Sequence, residues 1–251
     1  MSDFGTTDHY VASVKASILS KNPNQLIVDL THDIRPFDIG HAANVLKNVY
    51  EEFPEKTVHL VAVDAMKNKS EAIAVELNGH FFVGFDSGLF SLISEKKPGA
   101  ISVLESNGSV FPAKQVLAKA AVELASGKSI DKVGKSVETF IELYPRKLKV
   151  TKREIAGNVV SIDHYGNLIT NIRKQDFEKI LEINGNATRH TIRFGREAFS
   201  KLHEYYTDVD SGDCFVMFNS TGNLQIGINK GNASELLGLK MDIPVIIEFD
   251  H

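Results

Sequence analysis

Two carboxylates, Asp3 and Asp8, bracket a Gly5-Thr6-Thr7 turn just ahead of a stretch in which Val11, Val14, Ile18 and Leu19 recur at helical spacing. Asp8 is suited to cap that helix, because its side chain can accept from the orphan amides of a first turn. Asp3, at the mouth of a tight turn before a helix, can accept hydrogen bonds from a ribose diol, as carboxylates do in nucleotide-binding α/β folds. The plain alternative is a pair of solvated turn aspartates. Three further segments are richer in chemistry than turns require: Thr31 to Asp38, Asp163 to Asn167, and Asn219 to Ala233. Phe37 and Tyr165, beside carboxylates and amides, suit a purine and its sugar through stacking and directed hydrogen bonds. Otherwise each segment is simply a turn, with Phe37 as a core anchor before a helix.

The elements that must hold these residues follow from periodicity. Residues up to about 143 alternate short apolar runs with helical patterns, the signature of βαβ units and a mostly parallel sheet. Gln25 to Leu30 reads as a strand, Asp38 to Glu52 as a helix, and Thr57 to Val63 as a buried strand with Asp64 directly after it. Ala72 to Leu77 and His80 to Gly84 flank Asn78-Gly79, a hairpin turn pair that tolerates positive φ. Ser87 to Ser94 and Ala113 to Ser126 read as helices, the second closed by Gly127. The early segments and Asp64 then fall beyond strand ends at one sheet edge, where open α/β folds bind ligands. Such a fold also calls for a strand ahead of Asp3, so the expectation is either that this strand is missing or that Met1 to Gly5 join the sheet differently, the former being favoured. Tyr144 to Lys149, with a proline and three cations, marks a boundary, giving an α/β domain over 1–146 and a second domain over 147–251. The second carries short strands at Glu154 to Ile162, Leu168 to Asn171, Arg189 to Phe194, Asp213 to Phe218, Asn223 to Ile228 and Pro244 to Phe249. Glycine or asparagine turns separate many of them, which predicts a small antiparallel sheet or barrel.

Composition narrows the partners. A formal charge of -4 and a pI near 6.1 leave no electrostatic footprint for nucleic acid, so a small molecule fits better. One cysteine, Cys214, rules out an internal disulfide and makes a cysteine-based metal site improbable, in keeping with a reducing compartment; the cytoplasm is the default. No apolar run is long enough to span a membrane. The chain has no dinucleotide glycine fingerprint, Walker A loop, zinc-protease helix or nucleophile elbow. His32-Asp33 and Asp163-His164 lack the partners a metal would need, so neither a metal nor a cofactor is expected.

Five segments, in order along nearly the whole chain, carry a resemblance. They are Ser-Asp-Phe-Gly-Thr-Thr-Asp at the start, Ile-Arg-Pro-Phe-Asp, Phe-Val-Gly-Phe-Asp-Ser-Gly-Leu, Ile-Asp-His-Tyr-Gly-Asn-Leu-Ile-Thr-Asn-Ile, and Ile-Asn-Lys-Gly-Asn-Ala. The sequence resembles the S-adenosylmethionine hydroxide adenosyltransferase family, whose relatives include fluorinases and chlorinases. The resemblance implies an N-terminal α/β domain, a C-terminal β-barrel, and a homotrimer with sites between subunits. The implied reaction is attack of water at C5′ of S-adenosylmethionine, releasing adenosine and methionine, with no cofactor. Asp3 would hold the ribose hydroxyls, Asp8 the methionine end, and Phe37 the face of the sugar or base. Asp163 would lie near the methionine amine, Tyr165 would pack, and Asn167 would meet the nucleoside, all three from a neighbouring barrel. Ser220 would meet the methionine carboxylate, and the backbone at Asn232 and Ala233 the adenine edge.

The departures are as specific as the matches. Hydrolytic members orient water with an Asp, an Arg and a His, the first two in a glycine-rich loop. Here that loop runs from Asp64 to Glu71, one residue shorter, keeping Asp64 as the catalytic candidate but not the arginine. Lys67 or Lys69 would supply charge without the planar fork. The histidine position falls on Pro112, which offers no side-chain hydrogen bond. Because the leaving thioether is neutral and needs no general acid, alignment and desolvation can carry much of the barrier, and slow hydrolysis is the expected activity. The alternative is a protein that binds S-adenosylmethionine or adenosine without turnover. A halogenase is disfavoured, since Asp64 replaces a tyrosine and Ala113 a serine at the halide position.

Overall fold

The hairpin at Asn78-Gly79 organises the first half of the molecule. Both turn residues have left-handed backbone (φ 52° and 78°), and Leu77 pairs with His80 across them, as the Asn-Gly pair requires. The computed structural model describes residues 1–64, 71–106, 108–144, 147–185 and 189–250. The chain divides into two compact units, Met1–Pro145 and Arg146–His251.

In the first unit the elements are α1 (Tyr10–Leu19), α2 (Ile39–Lys47), β1 (Val58–Leu60), β2 (Ala72–Leu77), β3 (His80–Phe85), α3 (Leu89–Ile93), β4 (Ala100–Leu104), α4 (Ala118–Ala125) and β5 (Lys135–Val137). The sheet order is β1-β3-β2-β4-β5. Alternate residues of β2 serve two cores. Ala72 and Ala74 pack with Val14, Ile18 and the α4 face, whereas Ile73 and Val75 pack with Ala42, Leu46 and α3. A sheet with helices on both faces buries both sides of its strands, which is why β2 and β3 read as nearly continuous apolar runs.

Several expectations are corrected here. The sheet is mixed rather than mostly parallel: β1 runs parallel to β3, but β2–β3, β2–β4 and β4–β5 are antiparallel. The Asn-Gly hairpin forces that reversal, since two residues cannot make a parallel crossover. Gln25–Leu30 has no regular secondary structure and belongs to neither sheet, with Leu26 82% and Val28 56% exposed. Met1 to Gly5 lie at the sheet edge, through a parallel bridge between Ser2 and Ala62 and bonds from Ser2 N to Thr31 O (3.2 Å) and from Gly5 N to His32 O (2.9 Å). The 38–52 helix stops at Lys47 and resumes as a short 3₁₀ turn at Tyr50–Glu52. Helix α1 begins at Tyr10 with His9 at its N-cap, so Asp8 does not cap it. The 113–126 helix starts with a π turn, Ala113–Leu117, before α4; Gly127 (φ 88°) closes it as expected.

The second unit holds β6 (Lys149–Val150), β7 (Glu154–Ile162), β8 (Leu168–Arg173), α5 (Lys174–Asn184), β9 (His190–Phe194), β10 (Glu197–Phe199), β11 (Cys214–Phe218), β12 (Asn223–Ile228), α6 (Ala233–Leu236) and β13 (Pro244–Phe249). Its antiparallel order, β10-β9-β13-β7-β8-β12-β11 with β6 beside β7, is barrel-like; just after β10, His203 bridges to Met217 of β11. β7 alternates half-buried and buried along all nine residues, the period-2 pattern of a strand with one face on a core. Ile155, Val159, Leu168, Ile192, Val216 and Ile247 fill that core. Helix α5 was not foreseen; it buries Phe177 and Ile180 at helical spacing.

Candidate active site

In the first unit, one oxygen of Asp3 is the meeting point of three segments far apart in sequence. Asp3 Oδ2 accepts from the backbone N–H of Phe37 (3.0 Å) and of Asp64 (3.2 Å). Both donors lie in left-handed backbone, Phe37 at φ 65° and Asp64 at φ 54°. A phenylalanine there is unusual and strained, and such strain persists only where surrounding contacts hold it. The local cause is the Arg35-Pro36-Phe37-Asp38 turn, closed by Asp38 N to Arg35 O (3.0 Å), with proline at the second position and Phe37 where type II turns favour glycine. Asp38 then caps α2 by accepting from His41 N (2.8 Å) and pairs with Arg35 at 2.9 Å.

The outcome is an exposed aromatic next to a buried carboxylate. Phe37 is 68% exposed, so it is no core anchor, while Asp64 is 3% exposed. The opening loop is pinned from a second side: Phe4 stacks near Tyr10 and Phe111, with ring centroids 5.9 Å from each. That contact sets the loop beside Pro112 and the fully buried Ala113. His32 is fixed between Ser2 Oγ (2.7 Å) and Asp29 (3.1 Å). Asp8 is exposed in the bend ahead of α1. Sequence reasoning found Asp3, Phe37 and Asp64 singly, yet missed the Phe4, Tyr10 and Phe111 cluster, whose only signal was three aromatics in separate segments. Lys67 and Lys69 lie outside the described residues.

The second unit builds its candidate site locally. Asp163 Oδ1 accepts from Tyr165 N and Asn167 N, both at 2.9 Å, and Oδ2 accepts from Asn167 Nδ2 at 2.9 Å. Gly166 (φ 82°) allows the loop to turn, and a Cβ there would lie 1.9 Å from Asn232 Oδ1. Asn232 in turn caps α6 by accepting from Glu235 N (3.1 Å), and Ser234 N donates to Gly166 O (2.9 Å). A Cβ on Gly227 would meet Asn167 Oδ1 at 2.4 Å, so Asn167 is buried against β12. Residues 163–167 and 231–234 thus form one joined platform, from which Tyr165 projects, 76% exposed. Ala233 is fully buried. Ser220 sits in the exposed turn at the other end of β12, away from this platform. Asp163 and Asn167 therefore spend much of their hydrogen-bonding capacity on each other, a role the spacing alone did not reveal.

Among the described residues no three His, Cys, Asp or Glu side chains cluster as metal ligands would. Burial pushes the Cys214 thiol up to about 12, so it is a poor nucleophile. Among the described residues no helix is long and apolar enough to cross a membrane.

Comparison with known proteins agrees with this division. Residues 1–134 match the SAM hydroxide adenosyltransferase N-terminal domain, and residues 157–246 match the C-terminal domain of the same family. The (R)-S-adenosyl-L-methionine hydrolase of Thermus thermophilus is 29% identical, over 98% of this chain and 96% of that protein. The enzyme of the same name from Methanocaldococcus jannaschii is 31% identical, over 94% of this chain and 90% of its own length. A fluorinase from an Actinoplanes species is 26% identical, over 98% and 95%. A crystal structure of an uncharacterized conserved protein from Thermotoga maritima superposes with a TM-score of 0.87 at 30% identity, covering 98% of this chain and 97% of the other.

Proposed function

Because this chain belongs to the SAM hydroxide adenosyltransferase family, we propose that it hydrolyses S-adenosyl-L-methionine to adenosine and L-methionine. The observation that carries the proposal is the convergence of Phe37 and Asp64 on Asp3 Oδ2. It gathers a ribose-binding carboxylate, an exposed ring for the nucleoside, and a buried carboxylate for the water. The relatives named (R)-S-adenosyl-L-methionine hydrolase support this reading over halide transfer, as does the carboxylate Asp64, which opposes an anionic nucleophile.

In the proposed reaction, water oxygen bonds to C5′ as the C5′–S⁺ bond breaks. The electron pair stays on sulfur as the thioether of methionine, and the water gives up one proton. Asp64 orients that water and receives the proton. Phe37 packs on the sugar and Asp3 accepts from its diol, with Asp8 at the methionine end. From the second unit, Asp163, Tyr165 and Asn167 complete the pocket with Ser220 at the methionine carboxylate and Asn232 and Ala233 at the adenine edge. Those contacts come from a neighbouring copy in a homotrimer, in the cytoplasm and without a cofactor. Turnover is slow, because Pro112 supplies no hydrogen bond to the water and the loop after Asp64 has no arginine.

The test is incubation with S-adenosylmethionine in ¹⁸O-labelled water. Adenosine carrying the label at its 5′-hydroxyl, with one methionine per adenosine, is expected. No adenosine above a protein-free control at high protein concentration would reject turnover. Lasting S-adenosylmethionine binding by calorimetry, without product, would identify a binding protein instead.

A further inference from the structure

Two backbone amides occupy Asp3 Oδ2, whereas Asp3 Oδ1 receives no hydrogen bond among the described residues and is open to a hydroxyl donor. A carboxylate selects a diol only if its own position is fixed, because hydrogen bonds weaken steeply when misaligned. The loop that carries Asp3, from Ser2 to Gly5, is held on one side by side chains to which the proposed reaction gives no part: Lys15, Asp29, His32 and Ser2 itself.

These four residues form a directed chain of hydrogen bonds. Lys15 Nζ, on α1, donates to Asp29 Oδ2 at 2.5 Å, and His32 Nε2 lies 3.1 Å from Asp29 Oδ1. The bond from Lys15, outweighing the cost of burial, and then the bond from His32 hold the Asp29 carboxyl below the usual carboxylate range. Asp29 is therefore ionised and can only accept, so the ring nitrogen facing it, Nε2, carries a proton. In the neutral ring Nδ1 is then a bare acceptor, 2.7 Å from Ser2 Oγ. Ser2 donates its hydroxyl proton to Nδ1 and keeps its lone pairs for the Phe4 N–H at 3.4 Å. At 3% exposure the Ser2 hydroxyl is shielded from competing water. Backbone bonds from Ser2 N to Thr31 O and from Gly5 N to His32 O lace the same loop to the same segment, whereas Asp3 N reaches Ala62 O only at 3.4 Å.

Building on the reading that Asp3 holds the nucleoside diol, we propose that His32 is a positioning residue for sugar selection: with its tautomer fixed by Asp29, it orients the Ser2 hydroxyl and so aims Asp3 Oδ1 at the hydroxyls of a bound ribose. Without the imidazole, the Ser2 hydroxyl is buried with no acceptor on that side, and the loop relaxes to find one. The ring contacts of Phe4 with Tyr10 and Phe111 remain, so the loop stays attached while its carboxylate loses its aim. A shift of about 1 Å is enough to forfeit a directed contact.

The experiment is calorimetry with adenosine and with 2′,3′-dideoxyadenosine, which lacks both sugar hydroxyls; neither measurement needs turnover. The unaltered chain should prefer adenosine by roughly tenfold or more, as a site built to hydrogen-bond a hydroxyl does. His32→Ala should weaken adenosine by roughly fivefold, the worth of one hydrogen bond, and the dideoxy ligand by less than about twofold, because a misplaced Asp3 penalises only a ligand with hydroxyls. His32→Asn, whose amide oxygen can stand in for Nδ1, should recover most of the preference. In an Asp3→Ala background, His32→Ala should change adenosine binding by less than about twofold. Equal losses for both ligands, or the full loss repeated in the Asp3→Ala background, would overturn the proposal. Should His32→Ala fail to fold, ¹⁵N NMR of the unaltered chain reads the ring directly: a proton on Nε2 and a bare Nδ1 are expected, and a proton on Nδ1 would overturn the relay. An unaltered chain that does not distinguish the two nucleosides would remove the diol role of Asp3 and this proposal with it. Intact selectivity without labelled adenosine would reject turnover and leave this proposal standing.

Discussion

The two units hold their candidate residues by opposite means. In the second unit, Asp163 is satisfied by groups two and four residues away, and the loop is braced by one close approach, Gly166 on Asn232. In the first, Asp3 is engaged by amides 34 and 61 positions distant, both on strained backbone. A local network forms once its loop closes. A long-range one exists only when the sheet, the turn at Pro36 and the opening segment are all in place. The second unit thus offers a rigid platform, and the first a clamp whose release would move an aromatic and a carboxylate together.

The comparison can be broken most severely at Asp64. Asp64→Asn is expected to lower adenosine formation by roughly 100-fold or more while Tm changes little, since a positioned base is worth that much; unchanged kcat would remove Asp64 from the chemistry. Next is the platform. Gly166→Ala places a Cβ within 1.9 Å of Asn232 Oδ1 at φ 82°, and a loss of about 3 kcal/mol is expected in urea unfolding. A loss below about 1 kcal/mol would show that the platform yields.

The clamp predicts a smaller, coupled effect. Asp3→Ala should cost about 2 kcal/mol, but about 1 kcal/mol less in a Phe37→Gly background, because glycine adopts φ 65° without needing to be held. Additive losses would mean that Asp3 does not restrain Phe37. A comparable effect concerns acid. His59 and His80 are buried in contact (Nε2 to Nδ1, 3.3 Å), and burial, then His80, lowers the His59 pKa to about 4. The unfolded imidazole, at about 6.5, binds its proton first, so stability is full above that pH and falls as pH drops toward 4, by about 2 kcal/mol. Thermal melts from pH 7.5 to 4.5 should show that slope, and His59→Phe should flatten it.

Much of the second unit was legible because its signals are local. Glu154–Ile162, Asn223–Ile228 and Pro244–Phe249 appear at the expected bounds, the first and last alternating along one core face and the middle one buried nearly throughout. Helix α5 escaped notice because its two buried residues, Phe177 and Ile180, leave the rest of it polar. In the first unit the apolar runs located Val58–Leu60 and the Ala72–Leu77/His80–Phe85 hairpin, but they gave no sign of Ala100–Leu104 or Lys135–Val137, and they marked Gln25–Leu30, which joins neither sheet. Ala72–Leu77 is equally apolar whether its neighbours run with it or against it, and only the Asn78-Gly79 turn held the answer.

Residue chemistry by itself determined that Asp3, Phe37 and Asp64 are candidates, that Asn78-Gly79 turns a hairpin, and that the second half is antiparallel, because each rests on side-chain type and short-range spacing. Tertiary structure alone decided that those three residues share one carboxylate oxygen, that Asp163 and Asn167 satisfy each other, and that Gln25–Leu30, patterned as a strand, joins neither sheet among the described residues. Hydrogen bonds across tens of residues depend on how sheets and turns bring backbone together, and no local pattern encodes that.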